Sequence, residues 1–149
     1  MGNEEFAKEA IDIVSRAEEK GIILRILGAL AVYIHSKHCE ECLNLYERLE
    51  RLGAGEILFT DLDLIAYSKQ RREVMKFFEK EMMYKPDKMI IALTGGRRLI
   101  YYHPNNAFHV DIFFDKLEFS HDVVFGNKPG RGRLEIDSQT ITLADLVLE

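Results

Sequence analysis

The stretch FTDLDLIAY, residues 59–67, places two aspartates inside a segment whose other side chains are mostly suited to burial. Successive side chains of a strand point to opposite faces, so Asp61 and Asp63 share one face while Leu62 and Leu64 share the other. A carboxylate in apolar surroundings costs several kcal/mol unless it is paired or binds a metal. The stretch therefore predicts a strand with one apolar face and one face that is either solvated or chemically active.

A third acid lies in the middle of another apolar run, FHVDIFF, residues 108–114. Asp111 has Val110 and Ile112 on either side, and Asp115 is an alternative third acid if this strand runs that far. If the two strands are neighbours, three carboxylates converge on one patch, where they repel each other unless cations hold them. Oxygen ligands of this kind favour Mg²⁺ or Mn²⁺.

A strand-to-helix turn precedes the two acidic strands. IILRIL, residues 22–27, predicts a short buried strand, Gly28 interrupts it, and ALAVYIHSK then has helical character. A strand, a glycine and a helix start together offer backbone N–H groups and a helix dipole to a phosphate. By itself this turn is most simply an ordinary connection. Together with the two acidic strands it becomes a more specific signal for phosphate chemistry.

The remaining chain predicts alternating helices and strands. Amphipathic helices are expected over residues 3–20, which end at Gly21, and over 40–52 and 69–83. Residues 87–103 predict a hairpin that turns at Gly95-Gly96. Weaker strands are expected near 119–125 and 132–137, with a last helix starting at Thr142. The order predicts an α/β (α+β) fold, a mixed β-sheet flanked by helices in a single domain over residues 1–149.

Composition narrows the class of protein. The chain is 47% hydrophobic and 30% charged, and no apolar run is long enough to span a membrane. The acidic start lacks the features of a signal peptide, and two cysteines do not suggest a disulfide framework, so we expect a cytoplasmic protein. The net charge of −5 argues against nucleic-acid binding through overall charge, although a local basic patch remains compatible with it.

Three segments, RILGALAVYIH (residues 25–35), FTDLDLIAY and FHVDIFF, together resemble the nucleotidyltransferase superfamily with the DNA polymerase beta-type fold. The family pattern is an apolar strand, Gly-Gly or Gly-Ser opening a helix, a D-x-[DE] strand, and a third carboxylate on a later strand. The likeness is closest to small bacterial and archaeal nucleotidyltransferases, including toxin-type members. It covers roughly residues 22–148.

The resemblance implies a role for each matching position. The backbone of Gly28 and Ala29 would bind the triphosphate of an NTP, although Ala29 lacks the hydroxyl of the Ser that some family members have there. Asp61 and Asp63 would hold both metal ions. Asp111, whose apolar neighbours match the family position, would complete the catalytic metal site and help deprotonate an acceptor hydroxyl. That hydroxyl would attack the α-phosphorus and release pyrophosphate.

The stretch HSKHCEEC, residues 35–42, has residue types that suit zinc, namely His35, His38, Cys39 and Cys42. On one continuous helix these four side chains would form a stripe, which cannot close a tetrahedron around an ion. The favoured interpretation is that the cysteines are small buried hydrophobic residues and that the histidines lie near the surface.

Three basic clusters lie elsewhere, namely Arg97 with Arg98, then Lys69 with Arg71 and Arg72, and finally Lys128 with Arg131 and Arg133. The first is interpreted as a hairpin tip that could reach nucleotide or an RNA backbone. The second is most simply a solvated helix face. The third lies in an expected flexible loop and is the local candidate for binding acceptor RNA.

The sequence thus favours a Mg²⁺-dependent nucleotidyltransferase that transfers NMP from an NTP to a hydroxyl of RNA, protein or a small molecule. A rival hypothesis is a catalytically degenerate member of the same fold that acts as a binding or regulatory module, such as one half of a toxin–antitoxin pair. A third is a plain α/β interaction domain with solvated acids, for which Asp111 would lie far from Asp61. A homo-oligomer or a protein partner is compatible with these hypotheses, whereas a membrane partner is not expected.

Overall fold

The computed structural model describes residues 2–36, 61–118, 122–130, 132, 134 and 140. Its helices are α1 (Asn3–Glu19), α2 (Gly28–Ser36), α3 (Arg71–Lys76) and α4 (Lys88–Leu93). Its strands are β1 (Leu24–Ile26), β2 (Asp61–Ala66), β3 (Lys85–Pro86), β4 (Arg98–Tyr102), β5 (His109–Phe114), β6 (Lys116–Glu118) and β7 (Asp122–Val124). A 3₁₀ turn, Ser68–Gln70, precedes α3, and a π-helical turn, Phe77–Glu81, follows it.

Five strands form one mixed sheet in the order β1-β2-β5-β4-β3. Strands β2 and β5 pair in parallel, and the other neighbours in this sheet pair antiparallel. Strands β6 and β7 form a separate two-stranded antiparallel sheet. The α+β class with a mixed sheet, expected from the sequence, is therefore confirmed.

The apolar face of the sheet carries the core. Leu62, Val110 and Tyr101 are in register across β2, β5 and β4, and each is fully buried. Phe78, in the π-helical turn, stacks on Tyr101 with ring centroids 5.2 Å apart. The helical stretch after β2 therefore covers the face opposite the aspartates, because the alternation of β2 directs its leucines there.

Helix α1 forms as the spacing of its apolar residues predicts. Its buried side chains recur at helical intervals and are Phe6, Ala7, Ala10, Ile13, Val14 and Ala17. The helix ends at Glu19, and Gly21 continues the chain in the left-handed region at φ +78°. The Phe6 ring meets Phe108 edge-on at 5.0 Å, which ties α1 to the segment that leads into β5.

Arg25 is a charged residue inside β1, only 2% exposed. Its Nε donates to the carbonyl oxygen of Leu134 at 2.7 Å, and its Nη2 donates to Glu18 at 3.1 Å. A buried guanidinium is tolerated when its donors are satisfied in this way. Arg25 therefore links β1, α1 and the carboxyl-terminal part of the chain.

The predicted hairpin over residues 87–103 is wrong in its first half, because Lys88–Leu93 forms helix α4. Asp87 caps this helix by accepting a hydrogen bond from the Ile90 N–H. Gly95 and Gly96, both at positive φ, donate their N–H groups to carbonyls of the last helical turn. A Gly-Gly pair suits the end of a helix as well as a hairpin, which explains the error.

Several other expectations meet the structure only in part. Of the strand expected over 56–67, Asp61–Ala66 is observed, while residues 56–60 lie outside the described residues. The region 69–83 is helical in three successive forms. The strand expected near 119–125 is matched by β7, which pairs with β6. The helix over 40–52, the start at Thr142 and most of 132–137 lie outside the described residues.

The loop expected to be flexible contains a close contact at Gly132. A Cβ added to Gly132 would lie 2.5 Å from the Phe125 carbonyl oxygen and would also overlap the Tyr67 ring. Tyr67 is fully buried, and its hydroxyl accepts a hydrogen bond from the Leu134 N–H. Gly132 is therefore a packing residue, since a larger side chain has no space to occupy.

We expect Gly132→Ala to lower the free energy of unfolding by roughly 3 kcal/mol, since overpacking against a backbone carbonyl is hard to relieve. Gly130→Ala is the matched control, because its Cβ would meet open space although its φ is +80°. That variant should lose only about 1 kcal/mol from backbone strain. Urea unfolding curves measure both, and equal losses would contradict the packing role of Gly132.

Candidate functional site

The acids of β2 and β5 lie side by side. Asp63 is in register with Asp111, and Asp61 is in register with His109. Because neighbouring strands lie about 5 Å apart, residues in register emerge next to each other on the same face. We name Asp61, Asp63 and Asp111 the acidic patch. The register is contrary to the plain interaction-domain hypothesis, which placed Asp111 far from Asp61.

Burial increases across the acidic patch. The Asp61 side chain is 50% exposed, Asp63 is half-buried, and the Asp111 side chain is only 8% exposed. The patch therefore runs from solvent at the start of β2 to a shielded position in the middle of β5. A ligand would reach it from the Asp61 side.

Arg98 neutralises Asp111. Its Nε donates to Asp111 Oδ1 at 2.7 Å, and its Nη2 donates to Asp111 Oδ2. This two-point geometry is the strongest way in which a guanidinium pairs with a carboxylate. The hydrogen bond to Asp111 also raises the pKa of Arg98, so the guanidinium is charged at any physiological pH.

His109 lies against the outer acid. Its Nε2 is 3.0 Å from Asp61 Oδ1, and it shares the face of Asp111 because it precedes Asp111 by two residues in β5. Asp63 lies between these two pairs. Its carboxylate makes no hydrogen bond or ion pair with any residue in the described part of the chain.

The electrostatics of Asp63 follow from this placement. Burial, together with the neighbouring Asp111 and Asp61 carboxylates, raises the pKa of Asp63 to about 6. His109 and Arg98 act in the opposite direction without cancelling the effect. The ionised Asp63 carboxylate is therefore held at an energetic cost, which a cation beside it would relieve.

The Gly28 turn adjoins the acidic patch. The Leu27 N–H donates to the Asp63 carbonyl oxygen at 3.1 Å, so the end of β1 is attached to β2 at the central acid. Gly28 has φ +76° and begins α2. Gly28 and Ala29 are both half-buried, and they form the first residues of a nine-residue helix beside the acids.

Asp115, the alternative third acid, has a different role. It lies beyond the carboxyl end of β5 at φ +66°, and its Oδ1 accepts a hydrogen bond from the Ser68 N–H at 2.8 Å. This bond secures the start of the helical stretch after β2. Asp111 is therefore the acid that the fold brings next to Asp63.

Sequence reasoning missed the two basic residues of the site. His109 could have been found, since the alternation that pairs Asp61 with Asp63 also puts His109 beside Asp111. The sequence places Arg98 at a hairpin tip that could reach nucleotide or an RNA backbone, and it does not indicate Asp111 as its partner. Its pairing depends on the register of β4 with β5, which opposes Ile100 to Asp111 and is not visible in the local sequence.

The other candidate residues either contact different partners or lie outside the described residues. His35 contacts Thr140, with 2.7 Å between Nε2 and Oγ1, while His38, Cys39 and Cys42 lie outside the described residues. Arg131 and Arg133 also lie outside them. The zinc and RNA-loop hypotheses thus stay predictions.

The donor set of the acidic patch suits a hard divalent cation, since all its ligands are carboxylate oxygens. Within residues 2–36, 61–118 and 122–130, no three acidic, histidine or cysteine side chains are placed closely enough to enclose an ion. Arg98 and His109 occupy carboxylate oxygens that a metal would need. A metal would therefore have to compete with them.

No helix in the described part of the chain is long and apolar enough to cross a membrane. Comparison with protein-family models, with curated proteins and with solved structures found no match.

We expect Asp63→Asn to raise the free energy of unfolding by roughly 1–3 kcal/mol at pH 8 in EDTA, because it removes a buried charge. The native pKa of about 6 exceeds the ordinary aspartate pKa of 3.8, so protonation stabilises the wild type as the pH falls from 6 towards 4. The advantage of the variant should therefore disappear by about pH 4. Denaturant titrations across this range measure it.

Asp12→Asn is the control for that experiment, since Asp12 pairs with Arg16 on an exposed face of α1. Its effect should stay within about 0.5 kcal/mol at both pH values. If Asp63→Asn were no more stable than the wild type at pH 8, the repulsion argued for the acidic patch would be wrong.

Proposed function

We propose that this protein is a metal-dependent nucleotidyltransferase that transfers NMP from an NTP to a hydroxyl acceptor and releases pyrophosphate. The observation that carries the proposal is the register of Asp63 with Asp111 on adjacent parallel strands, with Asp61 on the same face. The attachment of the Gly28 turn to Asp63 supports the proposal, because a glycine turn at a helix start is a type of element that binds phosphate.

The reaction assigns a task to each group. The acceptor hydroxyl attacks the α-phosphorus, the bond from that phosphorus to the bridging oxygen breaks, and pyrophosphate leaves with the electron pair. Asp111 accepts the proton of the hydroxyl. Backbone N–H groups at Gly28 and Ala29 hold the triphosphate. Mg²⁺ or Mn²⁺ held by the three aspartates would neutralise the charge that gathers on the phosphate oxygens.

Positioning and charge neutralisation would supply most of the rate enhancement, as in other phosphoryl transfers. Three carboxylates repel a triphosphate when no cation is present. NTP binding at the acidic patch should therefore require the divalent cation. This dependence separates the proposal from simple anion binding.

We expect calorimetry to show an NTP-binding event that appears with Mg²⁺ and is lost in EDTA. Asp61→Asn and Asp111→Asn should each weaken Mg·NTP binding by about tenfold or more, since each removes a metal ligand; tenfold corresponds to about 1.4 kcal/mol. Asp12→Asn, a surface carboxylate of α1, is the matched control and should bind as the wild type does. Absence of Mg²⁺-dependent binding in the wild type would contradict the catalytic proposal.

A second candidate function is a non-catalytic binding or regulatory module of the same fold. The observation that favours it is the two-point contact of Arg98 with Asp111, which satisfies the most buried acid without a metal. In such a module the ion pair would be permanent structure. In an enzyme it would compete with the metal.

Arg98→Gln separates these two functions. Removing the competing cation should tighten Mg²⁺ binding about three- to tenfold in the enzyme, on the scale of one near charge. In the non-catalytic module the same change should only lower stability, since a buried acid loses its partner. Mn²⁺ titration followed by electron paramagnetic resonance measures affinity independently of any reaction, and unchanged or weaker binding would favour the module.

A further inference from the structure

A cavity of about 750 Å³ opens at the carboxyl end of β5. It lies between the start of β4, the start of α3 and the loop after β7. Its volume falls within the range of small-molecule sites, about 300–1,000 Å³. The residues that line it are Arg71, Thr94, Arg97, Arg98, Phe113, Phe114, Asp115, Lys116, Val124, Gly126 and Asn127.

The charge of this cavity opposes that of the whole chain. Four of its lining side chains are cationic and one is a carboxylate, whereas the chain has a net charge of −5. Asp115, the single acid, already accepts the Ser68 N–H. Such a concentration of positive charge in a concave site attracts anions.

Two of the arginines are held over aromatic rings. The Arg71 guanidinium carbon lies 4.9 Å from the centre of the Phe114 ring, and that of Arg98 lies 5.5 Å from Phe113. These cation–π contacts fix the orientation of the guanidinium groups before any ligand arrives. A preformed site loses less conformational entropy on binding.

Arg71 and Arg97, two of the arginines that line the cavity, have hydrogen-bond donors with no acceptor among the described residues. Arg71 Nε is buried without a hydrogen-bond partner, and its guanidinium donates to no residue in the described part of the chain. Arg97 uses its Nε on the Thr94 carbonyl oxygen at 3.0 Å, which leaves its terminal nitrogens. Buried donors without partners are rare in native proteins and call for a ligand or water.

We propose that this cavity, which we name the basic cavity, binds a phosphate-bearing ligand of nucleotide size through Arg71, Arg97 and Lys116. Guanidinium forks match phosphate oxygens in pairs, and several cations suit a ligand with more than one negative charge. The basic cavity adjoins the acidic patch, because Arg98 lines the cavity and also pairs with Asp111. It needs no metal, so it does not depend on the proposed nucleotidyl transfer.

Calorimetry in EDTA at 0.15 M salt tests the basic cavity alone, because the acidic patch repels anions when no divalent cation is present. The probes are inorganic pyrophosphate and a short single-stranded oligouridylate. We expect at least one to bind the wild type. Arg71→Gln with Arg97→Gln should weaken that binding tenfold or more.

Arg72→Gln with Lys76→Gln is the matched control. It removes two positive charges from exposed positions of α3 that do not line the cavity. It should change binding by less than about twofold at this salt concentration, since exposed charges are screened. Arg97→Gln alone changes an exposed side chain, so it should weaken probe binding less than the double variant does and should leave the fold intact.

Tighter binding of pyrophosphate would assign the cavity to a free nucleotide or polyphosphate, and tighter binding of the oligouridylate to a nucleic-acid backbone. Either result supports a phosphate site. Binding of neither probe would overturn the proposal. An equal loss in both double variants would also overturn it, because the attraction would then come from overall charge.

Discussion

The parallel pairing of β2 with β5 sets two like charges side by side, and much of the described structure depends on this constraint. The opposite face of the same strands holds the register. Leu62 is opposite Val110 and Leu64 is opposite Ile112, and all four are fully buried. A slip of one residue would turn these side chains to the acidic face and the acids into the core. The free energy gained by burying the apolar face therefore offsets the electrostatic repulsion between the acids on the other face.

The repulsion is relieved unevenly. Arg98 neutralises Asp111, the most buried of the three acids, and His109 lies against Asp61, the most exposed. Asp63 lies between them and is paired with no residue in the described ranges, and its pKa rises to about 6. The two outer carboxylates thus have side-chain partners, whereas Asp63 at the centre has none in the described ranges. The centre is also where the Gly28 turn is attached, because the Leu27 N–H donates to the Asp63 carbonyl oxygen.

The sequence predicted this side of the molecule well because its signals are local. Alternation in β2 identified the faces of Asp61 and Asp63, and Gly28 indicated a turn that requires positive φ. The errors arise where one local pattern serves two structures. Gly95-Gly96 ends α4 rather than forming a hairpin, because Asp87 upstream supplies a helix cap. The partnership of Arg98 with Asp111 depends on strand register, which no window of sequence contains.

Arg98 joins the two charged regions of the sheet. Its Nε and Nη2 contact Asp111 in the acidic patch, while its side chain also lines the basic cavity over Phe113. An anion in the cavity and the Asp111 carboxylate therefore draw on the same positive charge. A stronger contact between Arg98 and the anion would weaken the contact between Arg98 and Asp111. The reverse also holds, because thermodynamic coupling between two binding events is reciprocal. An anion that engages Arg98 would leave Asp111 less neutralised, which raises the attraction of the acidic patch for a cation. The acidic patch and the basic cavity are thus electrostatically coupled through the guanidinium group of Arg98.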